Sequence, residues 1–224
     1  MSFQAIIFDC DGVLVDSEPI RLNLLRKMLV DLGWTLSYAE CQHLFLGKST
    51  QEEIDYIQQH LGQKLDAEWI MAYTLRRNQA LRQQVIAVPG IHSCLQLLKK
   101  HWPEHLACAS AAEKSKILLQ LDKVGLSCYF QGKIFSGVET PRNKPYPDVY
   151  LRAAEVMHTP ATACAIIEDS VTGITAGVAA GATVFAYCPP PENPHPLLEA
   201  GAHYTFSQMQ QLPDLLLRCT SNND

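Results

Sequence analysis

The chain changes its hydrophobic rhythm twice. Near its start Ala5-Ile6-Ile7-Phe8 runs apolar without a break and then meets Asp9, which reads as a buried strand over 5–9. From about 18 to 84 the apolar positions recur at helical spacing, as in "IRLNLLRKMLVDLGW", where Gly33 supplies a stop signal. Further helices are predicted near 37–45, 50–61 and 66–84, and "VPGI" at 88–91 punctuates the end of this block. Helices and short apolar runs then take turns. A helix near 91–101 leads to the strand "LACAS" (106–110), and one near 113–124 to "KIFSG" (133–137). Another near 147–157 leads to "ACAIIED" (163–169), and one near 171–180 to "TVFAY" (183–187). "GAHYTF" adds a short last strand, and "CPPPENPHP" (188–196) is read as a loop, too rigid and poor in N–H donors for helix or strand.

Strands alternating with helices of this length predict an α/β fold, a Rossmann-like parallel sheet core with helices on both faces. The all-helical block reads as a module inserted after the first strand. The predicted organisation is therefore a core of residues 1–17 and 85–224 and an inserted α-helical cap domain of 18–84.

Composition narrows the possibilities. A chain of 224 residues is long enough for a sizeable core, and 47% hydrophobic with 18% charged residues is ordinary for a soluble globular protein. A net charge of −5 argues against non-specific nucleic-acid binding, while leaving room for a locally positive site that takes an anion. No apolar run approaches the roughly 18 residues of a membrane span. The start "MSFQAIIFDCD" lacks the basic region of a signal peptide. Eight scattered cysteines without a C-x-x-C pair fit reduced thiols better than a disulfide framework or a zinc site. The expectation is a cytoplasmic monomer with a small-molecule ligand.

The polar residues fall in a telling place. Asp9 and Asp11, Ser110, Gly137, and Glu168 with Asp169 all lie at or just past the C-terminal ends of predicted strands, the edge where open parallel sheets bind ligands. Asp9 and Asp11 would share a face if the strand ran on regularly. Two close carboxylates are costly unless one is protonated or a cation sits between them. With Glu168 and Asp169 they form an oxygen-rich set suited to a hard cation, and magnesium, which takes carboxylates, waters and phosphate oxygens, is the one favoured. Such a metal would let one aspartate act as nucleophile. Helix capping is the plainer explanation of a lone strand-end acid, and it fits four acids on two strands poorly. Ser110 with the amides of Ala111 and Ala112 reads either as a phosphate cradle at a helix start or as a plain N-cap. Lys144, stiffened by Pro145 and Pro147, reads as a positioned charge for phosphate or as a solvated lysine.

Four segments then acquire a common meaning. "DCDGVLVDS" (9–17), Ser110 after its strand, Lys144 in "KPYPD" and "IIEDSVTG" (166–173) resemble, in order and spacing, the four motifs of the haloacid dehalogenase superfamily. Within it the chain is similar to the β-phosphoglucomutase and sugar-phosphatase branch, and to the bacterial 6-phosphogluconate phosphatase type in particular. The resemblance implies a magnesium-dependent phosphatase that hydrolyses a sugar phosphate or sugar acid phosphate through an aspartyl-phosphate. Asp9 would be the nucleophile. Asp11 would protonate the leaving oxygen and then activate water. Asp9, the backbone carbonyl of Asp11, and Asp169, with Glu168 nearby, would hold Mg2+, while Ser110, Ala111 and Lys144 would grip the phosphoryl oxygens. "FLGKSTQEEI" (45–54) resembles the specificity loop of the cap, which assigns Arg21, Gly47 and Lys48 to substrate choice and implies a cap that closes to exclude water. A phosphomutase shares the core residues and is the alternative; mutases carry a histidine where Arg21 stands here. A protein that keeps its phosphoryl group as a signal is a remoter one, separated by turnover. Asp11 speaks against dehalogenase and phosphonate-hydrolase chemistry.

Overall fold

The structure is a computed structural model that describes residues 3–221. The chain divides into two compact units, one of residues 1–15 and 87–224 and the other of residues 16–86.

The first unit is built on a six-stranded parallel sheet. Its strands are β1 (Ala5–Phe8), β4 (Leu106–Ser110), β5 (Ile134–Ser136), β6 (Cys164–Glu168), β7 (Thr183–Tyr187) and β8 (Tyr204–Phe206), in the order β5-β4-β1-β6-β7-β8. β1, β4 and β6 are buried along their whole length, which is why they read as unbroken apolar runs. Helices α5 (Ile91–His101), α6 (Lys114–Lys123), α7 (Asp148–Val156), α8 (Val171–Ala179), α9 (His195–Glu199) and α10 (Leu212–Ser221) complete the unit. One apolar cluster joins Ile7, Ile166 and Val184 of the sheet to Val149, Tyr150 and Ala153 of α7 and Ile174 of α8.

β1 lies in the middle of the sheet. The chain passes from β1 to β4 and β5 on one side, and then returns to β6 on the other. This reversal opens a crevice at the C-terminal ends of the strands. Register fixes what lines it. Phe8 is level with Cys108 and with Ile167, so Asp9, Ala109 and Glu168 follow at the same height, and Ser110 is level with Ser136.

The second unit is helical: α1 (Glu18–Val30), α2 (Tyr38–Phe45), α3 (Thr50–Leu61) and α4 (Ala67–Gln84). Its helix starts were legible in the sequence. Ser37 with Glu40 and Ser49 with Glu52 form complete capping boxes, and Asp66 caps α4 through the Trp69 amide. Leu22, Leu25 and Leu29 of α1 meet Cys41, Phe45, Ile57 and Tyr73 in its core. The chain leaves and re-enters the first unit through β2 (Val15–Asp16) and β3 (Ile86–Ala87), which pair as a two-stranded ribbon. No helix among the described residues is long and apolar enough to cross a membrane.

One expectation needs correction. α9 begins at His195, inside the stretch 188–196 expected to be loop throughout. Pro196 sits in its first turn, where a missing N–H breaks no helical hydrogen bond.

Candidate active site

β1 stops at Phe8, and the chain turns at once. Gly12 adopts a φ of 81°, and a Cβ there would lie 1.8 Å from Asp169 Oδ2. A side chain at 12 would therefore be strained by the backbone and would also displace that carboxylate. Asp9 and Asp11 consequently do not lie on one continued strand, and each is held by a lysine of its own.

Asp9 is buried, and its amide donates to the Ile167 carbonyl at 2.9 Å. Its Oδ1 accepts a hydrogen bond from Lys144 Nζ at 2.6 Å. Burial, reinforced by Glu168 and Asp11 and opposed by Lys144, pushes this carboxyl up to about 7.

Lys144 is not a solvated lysine. It is buried and donates to Asp9 Oδ1, to Glu168 Oε1 at 2.7 Å and to the Ala109 carbonyl at 3.1 Å, which accounts for its three N–H bonds. Burial alone would depress it, but Asp9 and Glu168 raise it well above the ordinary lysine value and keep it charged. Asn143 steadies the segment. Its Nδ2 donates to the Ala111 carbonyl and its Oδ1 accepts from the Lys144 amide, both at 2.9 Å. A Cβ on Gly137 would collide with that Oδ1 at 2.0 Å.

Glu168 is fully buried and saturated. Oε1 accepts from Lys144 and from the Tyr150 hydroxyl, and Oε2 accepts from the amides of Asp169 and Ser170 and from Ser170 Oγ, at 2.7 to 3.1 Å. Burial opposes its ionisation, yet Lys144, Tyr150 and Ser170 together hold it below the ordinary carboxylate range. Gly173 makes room for it, since a Cβ there would meet Oε1 at 1.7 Å. Oxygens of Asp9, Glu168 and Asp169 lie within 4.8 Å of one another, a set that could hold a hard cation. With five donors on Glu168, Asp9 and Asp169 are the pair suited to direct ligation.

Ser110 is buried at the end of β4, and its Oγ accepts from the Ala112 amide at 3.2 Å. It is not a helix cap: α6 starts at Lys114, and its N-cap is Glu113. Ala111 and Ala112 therefore lie in the turn before the helix, not at its first amides as expected.

The sequence reading missed four residues. Tyr150 and Asn143 support Glu168 and Lys144. Lys116 and Gln120 of α6 both donate to the carboxylate of Asp11, Lys116 Nζ at 2.9 and 3.1 Å and Gln120 Nε2 at 2.9 Å. The available signal was a lysine and a glutamine, four residues apart, on the helix face that carries the buried Ile117 and Leu121.

The three residues assigned to substrate choice lie in the helical unit. Arg21 is not exposed for a ligand: it is buried, ion-paired with Glu18 and Glu53, and donates to the Phe45 carbonyl at 3.0 Å. Gly47 lies exposed between α2 and α3 with a φ of 73°. Lys48 is half-buried, with Nζ 5.6 Å from the centre of the Tyr56 ring.

Comparison with known proteins meets this geometry from the other side. Residues 6–187 match the family described as haloacid dehalogenase-like hydrolase. The chain is 31% identical over 218 residues to the 6-phosphogluconate phosphatase of Escherichia coli (strain K12), covering 95% of this chain and 94% of that protein. It is 27% identical to a phosphorylated carbohydrates phosphatase of Thermotoga maritima, over 89% and 92% of the two chains. Among solved structures, a haloacid dehalogenase family hydrolase of Deinococcus radiodurans R1 with bound phosphate and sodium superposes with a TM-score of 0.79 at 30% identity, over 96% of each chain.

Proposed function

The chain belongs to the haloacid dehalogenase-like hydrolase family as a phosphoric monoester hydrolase, and from that premise we propose that it hydrolyses a phosphorylated sugar or sugar acid, with 6-phosphogluconate as the leading candidate, through a phosphoaspartyl intermediate. The observation that carries this reading is Lys144. It joins Asp9 to Glu168 at the sheet's C-terminal edge and points a fixed positive charge at the carboxylate best placed to attack phosphorus.

In the first step an Asp9 oxygen forms a bond to phosphorus while the bond from phosphorus to the ester oxygen breaks. The leaving oxygen keeps the electron pair and takes a proton from Asp11. In the second step water attacks the phosphoaspartate, Asp11 takes a proton from that water, and the Asp9 carboxylate leaves. Ser110 and the Ala111 amide serve the phosphoryl oxygens as donors, and Lys144, whose three N–H bonds are filled, serves them through its charge.

The acidic set supports a role for Mg2+. Three carboxylates, Asp9, Glu168 and Asp169, face one ammonium group, Lys144, which leaves two negative charges when all three are ionised, the charge one divalent cation neutralises. Asp9 and Asp169 would hold the ion with the Asp11 carbonyl, and when bound it would neutralise charge on the transferring group. Arg21 supports hydrolysis over mutase chemistry, because it occupies the place of the mutase histidine with its guanidinium engaged by Glu18 and Glu53.

The test is phosphate release from 6-phosphogluconate, hexose 6-phosphates, β-glucose 1-phosphate and a phosphonate, with magnesium or EDTA, beside Asp9→Asn. The expected result is magnesium-dependent turnover of the sugar esters that disappears in Asp9→Asn. Isomerisation of β-glucose 1-phosphate without phosphate release would replace the phosphatase with a mutase, and one phosphate retained per chain would make it a signalling protein.

A further inference from the structure

α6 turns two polar side chains inward. Lys116 and Gln120 stand one helical turn apart on the face that carries Ile117 and Leu121, and all four are buried. Among the described residues Asp11 is the one partner of either head group. Lys116 reaches both carboxylate oxygens, and Gln120 reaches Oδ1. Among the described residues the Gln120 carbonyl oxygen has no hydrogen-bond partner.

This arrangement is a poor way to stabilise a helix. Burying an ammonium and an amide costs several kcal/mol unless strong hydrogen bonds offset it, and apolar residues of similar size would pack as well or better. What the pair does provide is orientation. Asp11 sits in a turn beyond the end of β1, where no strand ladder fixes its side chain. Three donated hydrogen bonds from one rigid helix hold the carboxylate in one place. The support is also separate from that of Asp9, whose partner Lys144 comes from the segment before α7. One lysine serves each aspartate.

We propose that Lys116 and Gln120 are positioning residues that hold the Asp11 carboxylate for proton transfer and thereby set how well the enzyme expels poor leaving groups. The inference rests on the role given to Asp11 above. A sugar hydroxyl leaves as an alkoxide unless it is protonated as the phosphorus–oxygen bond breaks, so its departure depends on where Asp11 stands. Nitrophenolate leaves without a proton. A misplaced Asp11 therefore slows the first far more than the second.

The experiment measures phosphoenzyme formation in single turnovers of 6-phosphogluconate and of p-nitrophenyl phosphate. The proteins are wild type, Lys116→Met, Lys116→Arg, Gln120→Leu, Asp11→Asn and the Lys116→Met/Asp11→Asn double variant. Lys116→Met is expected to slow the sugar ester by about 10- to 100-fold and the nitrophenyl burst by no more than about threefold. Gln120→Leu follows in the same direction with a smaller loss, and Lys116→Arg recovers most of the rate. In the Asp11→Asn background Lys116→Met adds nothing, because a residue that acts through Asp11 has nothing left to act on. Equal slowing of both esters, or a full additional loss in the double variant, would mean that Lys116 merely supports the fold and would overturn the proposal. If Asp11→Asn itself slowed the two esters alike, the proton-transfer role of Asp11 would fall first, and the positioning role with it.

Discussion

At the residue scale, the site is a chain of single dependencies. Lys144 fills its three donors with Asp9, Glu168 and a carbonyl, so its removal leaves a buried glutamate without its cation. Lys144→Met is expected to destabilise the protein by about 3–5 kcal/mol in a urea titration, the cost of breaking a buried pair from one side, and to abolish turnover. Unchanged stability would show that Glu168 is satisfied by Tyr150 and Ser170 alone. Gly173 makes a finer test. Its missing Cβ is what allows Glu168 to sit against α8, with Oε1 1.7 Å from where that carbon would be. Gly173→Ala should push Glu168 away and carry Lys144 with it, lowering kcat by about 10- to 100-fold with little change in KM, because the damage is to alignment of the reacting groups. A rise in KM at constant kcat would move Gly173 out of this chain of support. Asp9 and Glu168 stood out by residue type and strand-end position and Lys144 by the prolines that stiffen its segment, whereas Tyr150 and Asn143 look like any helix and loop residue until the sheet brings them in.

At the element scale, local signals carried the reading furthest where one element is enough to define them. The helices expected near 37–45 and 50–61 start at the boxes Ser37/Glu40 and Ser49/Glu52, whose donors and acceptors lie within one turn. The burial of Arg21 is not legible from its own helix, because its partners beyond Glu18 lie on two other elements. From α1 it reaches the Phe45 carbonyl at the end of α2 and Glu53 of α3, and Glu53 in turn accepts from the Tyr73 hydroxyl of α4 at 2.9 Å. Four helices thus meet on one buried ion pair. Arg21→Met is expected to cost about 3–5 kcal/mol by leaving Glu53 charged and unmatched, and the paired Arg21→Met/Glu53→Leu change should recover most of it. A loss confined to kcat or KM, with the melting temperature unchanged, would return Arg21 to the role of a substrate contact. α6 gives the same lesson from the other side. Its two inward polar residues were visible as a break in its apolar face, but only the fold supplies Asp11 as their reason.

At the scale of the whole molecule, what places the acids together is the reversal of strand order about β1. The alternation of strands and helices made that sheet legible, because each buried parallel strand announces itself as a short apolar run. The crossing order and the register were not legible, since no local pattern says that Phe8 is level with both Cys108 and Ile167. The consequence of that crowding is electrostatic. Without a cation Asp9 titrates near 7, well above an ordinary aspartate, so the folded chain holds a proton there that the unfolded chain has already released. The stability of the metal-free protein should therefore fall as pH rises from about 4 to about 7. The proposed magnesium ion needs the ionised carboxylate, so its binding should run the opposite way, strengthening up to about pH 7 and levelling off above it. Below about pH 7 most of the sites carry the proton, which weakens the apparent affinity and makes binding release more protons at pH 6 than at pH 8. Calorimetric titration with magnesium in two buffers of different ionisation heat reads that proton count directly. The stabilisation follows the same course: at a fixed magnesium concentration the ion should add less stability at pH 6 than at pH 8. Asp9→Asn should abolish both the proton release and the pH dependence. Proton release that survived in that variant would assign the titration to another member of the acidic set, and with it the place where the charge of the cation is balanced.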